Sequence, residues 1–102
     1  MWYISIFDAK EDTTLKDIEK NREDWIKQGK DQLLANKCRS IDRYEIIGMN
    51  PLKVIFVIEA DNPGVLNLLS RCFGDNWHAV SYPVAKRSIH EALEEDHSIV
   101  CG

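Results

Sequence analysis

Positive charge is what this chain most obviously lacks. Lysine and arginine number 13 against 17 aspartates and glutamates, the net charge is −4, and no basic cluster occurs anywhere. A nucleic-acid binder needs a positive stripe to engage phosphates, so that class is set aside. No apolar run approaches the roughly 20 residues that cross a bilayer, and no membrane role is expected. The opening Met-Trp-Tyr-Ile-Ser-Ile-Phe-Asp has neither a basic region nor a small-residue cleavage site, so export is not expected. Cysteine is scarce and odd in number: Cys38, Cys72 and Cys101 show no paired or Cys-x-x-Cys spacing. Reduced thiols in a cytoplasm are the simplest reading. Glycine-rich phosphate loops, nucleophile elbows and recognisable cysteine–histidine pairs are missing too, as are internal repeats.

What is present is an ordinary globular composition, 44% hydrophobic and 29% charged over 102 residues. A single domain is expected, with a core over residues 1–85 and a helix and tail over 86–102. Its central stretch is Pro51-Leu-Lys-Val-Ile-Phe-Val-Ile-Glu-Ala60, the densest β-branched and aromatic run in the chain, closed by Asp61-Asn-Pro-Gly. That predicts a central strand with two apolar faces, Val54, Phe56 and Ile58 on one and Ile55 and Val57 on the other. Trp2–Asp8 alternates as a first strand. Thr14 and Asp17 form a weak capping box for a helix over 14–37 with Leu15, Ile18, Trp25, Ile26, Leu33 and Leu34 on its apolar side. Gly29 interrupts it, marking either a break or a close approach to the sheet; one helix with a local irregularity is expected.

Ile41–Met49 predicts the second strand, turning at Asn50-Pro51 into the central one. A two- or four-residue loop there sets Ile46 against Ile55 and Tyr44 against Val57 on the face expected to carry the helices. Arg43, Glu45 and Ile47 then share the other face with Val54, Phe56 and Ile58, whereas a three-residue loop would swap the faces. Asp61 or Asn62 caps a further helix, with Val65, Leu66, Leu68, Leu69, Cys72 and Phe73 buried and Gly74 closing it. Trp77–Val84 follows as the fourth strand. Ser88–Asp96 makes a last short helix with Ile89, Ala92 and Leu93 inward, and a loosely held tail from His97.

The order is β-α-β-β-α-β plus a C-terminal helix, an α+β, ferredoxin-like sandwich. Two helices cover only one side of a four-stranded sheet. The other side, expected to carry Val54, Phe56 and Ile58, is apolar enough to need a cover. A second copy of the same sheet is the expected partner, giving a face-to-face homodimer.

The residues Val54-Ile-Phe-Val-Ile-Glu-Ala-Asp61, the helix Val65–Phe73, Gly74-Asp75 and Val80-Ser-Tyr-Pro-Val84 resemble the dimeric α/β-barrel superfamily. Within it they are similar to a small uncharacterised prokaryotic family of unknown function. The resemblance implies two ferredoxin-like subunits packed sheet to sheet. It also implies a choice among cofactor-independent monooxygenases, isomerases, haem-degrading enzymes and small-ligand binding proteins, which the fold alone cannot make.

Candidate chemistry is sparse. Asn76-Trp77-His78 carries the residue types of haem degradation, but neighbours on a strand face opposite ways and cannot converge; no cofactor is expected. Arg43 and Glu45, beside Phe56, could orient a small acid or ketone in an inter-sheet cavity, or simply keep an edge strand soluble. His78 and Tyr3, with Ser5 and Tyr82, are the remaining polar strand residues, suited to proton transfer or anion stabilisation but equally to structural roles. Glu59 and Asp61 fit an acidic helix-capping turn. His90, Glu94, His97 and Cys101 fall on one stripe of the last helix, where a solvated face is expected and no metal. The expectation is a homodimer binding a small apolar or weakly acidic molecule through Arg43, Glu45, Phe56, Tyr3 and His78, or an accessory subunit. The alternative is a cofactor-independent enzyme in which His78, Tyr3 or Arg43 assists.

Overall fold

The computed structural model describes residues 1–49 and 52–101; the expected Asn50-Pro51 turn lies outside them. The strands are β1 (Trp2–Ala9), β2 (Ser40–Glu45), β3 (Lys53–Glu59) and β4 (Trp77–Val84). They form one sheet in the order β2-β3-β1-β4, with every neighbouring pair antiparallel. The helices are α1 (Leu15–Lys27), α2 (Lys30–Ala35), α3 (Gly64–Phe73) and α4 (Ile89–Cys101). This is an α+β fold whose order and pairing are compatible with the expected ferredoxin-like arrangement.

The capping box forms as read. Thr14 Oγ1 accepts from the Asp17 N–H at 3.2 Å, and Asp17 Oδ2 accepts from the Thr14 N–H at 3.0 Å. The Thr14 backbone N–H bonded to the ionised form, and after it the Thr14 side chain, hold the Asp17 carboxyl below its ordinary value. The single long helix does not form. Gly29, at φ 62°, sits in the left-handed region and divides α1 from α2. A Cβ there would meet nothing within 4 Å, so glycine serves the backbone turn and not a close approach to the sheet. The break also redistributes the expected apolar stripe: Ile18, Trp25 and Leu34 pack inward, while Leu15 and Ile26 are left exposed.

The structure exchanges the two faces of the sheet. The helix-covered side carries Tyr3, Ser5, Phe7 and Ala9 of β1 with Val54, Phe56, Ile58 and Ala60, every one of them buried. The deciding contacts are aromatic. Phe73 of α3 stacks on Phe7 at 4.0 Å between ring centroids and meets Phe56, Trp25 and Trp77 edge-on at 5.0–5.7 Å. In sequence both rows of β3 are apolar; the large rings on the Phe56 side are what the helices need to fill their layer. The β2–β3 pairing keeps the expected parity but is offset by two residues. Tyr44 lies opposite Ile55 and Glu45 opposite Val54, and the Ile46 N–H reaches Lys53 O at 3.0 Å. Gly48, at φ 85°, turns the chain beyond β2, so the strand ends before the expected Met49.

The N-cap of α3 is Pro63 and not the expected Asp61 or Asn62; just ahead of it Asn62 Oδ1 accepts from the Gly64 N–H at 2.8 Å. Gly74 ends the helix at φ 83°. α4 runs further than expected, through His97 to Cys101, and opens with a box in which Ser88 Oγ accepts from the Glu91 N–H. Its apolar residues do not turn inward. Ile89, Leu93, Ile99 and Val100 are 69–81% exposed, and the molecule is correspondingly long, 55 × 29 × 19 Å.

Candidate functional site

Two surfaces have the character of sites, one on each side of the sheet. The first is the bare face. Residues paired directly across a ladder share a face, so Trp2, Ile4 and Ile6 stand beside Val84, Tyr82 and Val80 on one flank. On the other flank they adjoin Val57 and Ile55, with Tyr44 at the outer edge. Tyr44, Val80, Tyr82 and Val84 are exposed and the rest are half-buried. Four strands at about 4.8 Å and seven residues at about 3.3 Å give a footprint of roughly 440 Å². At one end lies a depression of about 330 Å³ bordered by Trp2, Asp42, Tyr44, Val57, Val84 and Lys86. The Lys86 ammonium lies 4.6 Å from the centre of the Trp2 ring.

The second surface is a cleft on the helix side, where α1 gives way to α2 beside the edge strand β2. It has two adjoining parts of about 250 and 230 Å³, both bordered by Asp31 and Arg43. Phe73 and Phe56 contribute apolar wall to the two parts, and Asn21, Arg22, Trp25 and Ile26 line the larger. Arg22 and Arg43 both pair with Glu45, Arg43 at 3.4 Å and Arg22 in closer contact. Across the helix break the Trp25 indole N–H donates to Asp31 Oδ1 at 2.7 Å.

The five residues expected to bind a ligand do not meet. Arg43 and Glu45 form the expected pair, and Phe56 lies beside Arg43 across the β2–β3 ladder, but all three belong to the helix side. They therefore cannot line a cavity between two sheets. Tyr3 is on that side too, 6% exposed, with its hydroxyl on Met1 Sδ at 3.3 Å. His78 alone is on the bare face, because it pairs with Asp8, one strand position away from the buried Trp77. His78, Tyr3 and Arg43 thus share no substrate position, and Trp77 and His78 turn opposite ways as alternation requires.

Sequence reading missed several partners. Asp8, directly across from His78 and ion-paired with Lys53 at 3.5 Å, is the carboxylate neighbour that local sequence does not reveal. Arg22, Trp25 and Asp31 join the Arg43 cleft only because Gly29 folds the helix over β2; the glycine was the available signal. On α4 the side chain of Cys101 lies outside the described residues, and among those described no group of three potential metal ligands comes together. Burial pushes the Cys38 and Cys72 thiols up, away from the range of a reactive thiolate. No helix among the described residues is long and apolar enough to cross a membrane.

Comparison with known proteins adds little. No protein-family model matches the chain, and no curated protein does. Among solved structures it is similar to a crystal structure of an Arabidopsis thaliana protein, at 10% identity and a TM-score of 0.42, over 86% of this chain and 98% of that one.

Proposed function

We propose that the chain acts as a two-fold homodimer, bare sheet face against bare sheet face in the manner of a dimeric α/β barrel, holding a small apolar or weakly acidic molecule between the sheets. The observation that carries this reading is the row Tyr44, Ile55, Ile6 and Val80, apolar across all four strands, with Val57, Ile4 and Tyr82 alongside it and Asp42 at the β2 end of that second row. Burial of the apolar part of this face, at about 25 cal/mol per Å², is what would offset association costs of about 4–15 kcal/mol. α4 does not supply the cover, since its own apolar residues are exposed. In such a dimer the depression bounded by Trp2, Tyr44, Val57 and Val84 would be roofed by the partner, with Asp42 and Lys86 as its polar groups.

Light scattering across a concentration series tests it. The expected mass is twice the 11.8 kDa of one chain, falling to one chain in Val57→Asp and in Tyr82→Glu. Both substitutions place a charge at the proposed interface. A wild-type chain that stays monomeric throughout the series would overturn the reading. Native mass spectrometry of the dimer is expected to show a retained small molecule.

A further inference from the structure

We infer that the cleft at the α1–α2 break is a binding site for a small carboxylate with a flat apolar body, of the size of an aryl acid. It lies on the opposite side of the sheet from the proposed dimer face and does not depend on it.

The cleft has the two halves that such a ligand requires. The apolar half is aromatic: Phe56 and Phe73 are 2% and 5% exposed, and Trp25 packs on both, with ring centroids 6.4 and 5.1 Å away. The hydrogen bond from the Trp25 indole to Asp31 joins the last turn of α1 to the first turn of α2 and so fixes the ring plane. The polar half is a surplus of donors. Glu45 has two oxygens, and each is already engaged by a guanidinium, Oε1 by Arg22 and Oε2 by Arg43.

Each guanidinium has Glu45 as its side-chain partner, and Arg43 holds it by the longer contact. Among the described residues its one side-chain bond is the long 3.4 Å contact to Glu45, which leaves most of its five N–H donors to water. Its side chain is 39% exposed, and its backbone is fixed in the β2–β3 ladder opposite Phe56. A planar guanidinium beside an aromatic wall suits a carboxylate bound edge-on and bidentate, with the ring of the same molecule lying along the wall. Of the acceptors, Asp31 Oδ1 is taken by the indole and both Glu45 oxygens by arginine. Among the described residues Asp31 Oδ2 and Asn21 Oδ1 are the acceptors left over, and the unengaged donors of Arg43 are what a carboxylate would meet. A volume of about 250 Å³ lies just below the usual range of ligand pockets, which favours one ring over a larger molecule.

The test is a titration of the isotopically labelled chain followed by two-dimensional NMR. Benzoate is the probe and benzyl alcohol its uncharged match. Benzoate is expected to move the Trp25 indole N–H and Arg43 side-chain signals, and to bind at least about tenfold more tightly than benzyl alcohol. Arg43→Gln is expected to weaken benzoate at least about tenfold with the remaining spectrum unchanged, because Glu45 keeps Arg22 as its partner. Arg43→Lys, which retains charge but not the fork, falls between the two. Equal binding of benzoate and benzyl alcohol would overturn the inference, as would undiminished binding to Arg43→Gln. So would shifts confined to the Trp2, Val57 and Val84 face, or no binding at all. Should Arg43→Gln lose its fold, the two probes on the wild-type chain still decide. None of these results bears on the mass measured by light scattering, so the cleft and the dimer stand or fall separately.

Discussion

Replacing Gly29 with alanine distinguishes a broken helix from a continuous one by the sign of the stability change. In the structure Gly29 has φ 62° with open space where a Cβ would sit, so no clash contributes and the cost is that of the backbone conformation alone. A left-handed L-residue costs about 1–2 kcal/mol. The smaller entropy of the unfolded alanine chain returns about 0.4–1 kcal/mol. The net expectation for Gly29→Ala is a loss of about 1 kcal/mol, or a fall in Tm of about 4–8 °C for a domain of this size. Gly29→Asn should lose less, because asparagine enters the left-handed region more readily. If α1 and α2 instead formed one continuous helix, alanine would gain about 1 kcal/mol from helix propensity. Urea denaturation followed by circular dichroism reads the difference through the midpoint. A stabilised Gly29→Ala refutes the break, and with it the geometry of the Arg43 cleft.

Phe73→Ala is expected to cost about 3–5 kcal/mol and Phe73→Leu about 1–2 kcal/mol in the same assay, since Phe73 holds four other rings together; equal losses would show that the ring geometry contributes nothing. Asp17 has its pKa held below the ordinary 3.8 in the folded chain, so its contribution is present above that value and is lost as pH falls through the lower, folded one. Asp17→Asn should therefore be less stable than the wild type near neutrality and converge with it in acid, as measured by denaturant midpoints over a pH series; a constant gap would refute the capping role.

Local chemistry made much of this fold legible from residue order. Thr14 with Asp17, Asn62 before Pro63, and Gly74 each act through bonds or torsions within a few residues, and each does in the structure what its type suggests. β4 runs over the expected Trp77–Val84. What could not be read was which side of β3 the helices choose. Val54-Ile-Phe-Val-Ile58 is apolar on both faces, so alternation carries no sign. The choice is made by distant rings, Phe7 and Phe73, meeting Phe56. That one undetermined sign carried Arg43, Glu45 and Phe56 to the wrong surface as candidates, while the association of the three was read correctly. Gly29 was legible as a disturbance but not as a hinge, because its torsion is set by how α2 docks. The same limit hid Asp8 from His78, which are 70 residues apart in sequence and neighbours only through the β1–β4 ladder.

The position of β1 in the sheet also sets the order in which the chain can be completed during synthesis. Trp2–Ala9 is translated well before both of its sheet neighbours, β3 at residues 53–59 and β4 at residues 77–84. At about 5–20 residues per second, some 4–15 seconds pass between translation of β1 and that of its last neighbour. Until β3 is made Trp2, Ile4, Ile6 and Phe7 have no ladder to join, and until β4 is made one edge of β1 stays open. An apolar strand thus waits on partners distant in sequence, and closure of the sheet waits for β4.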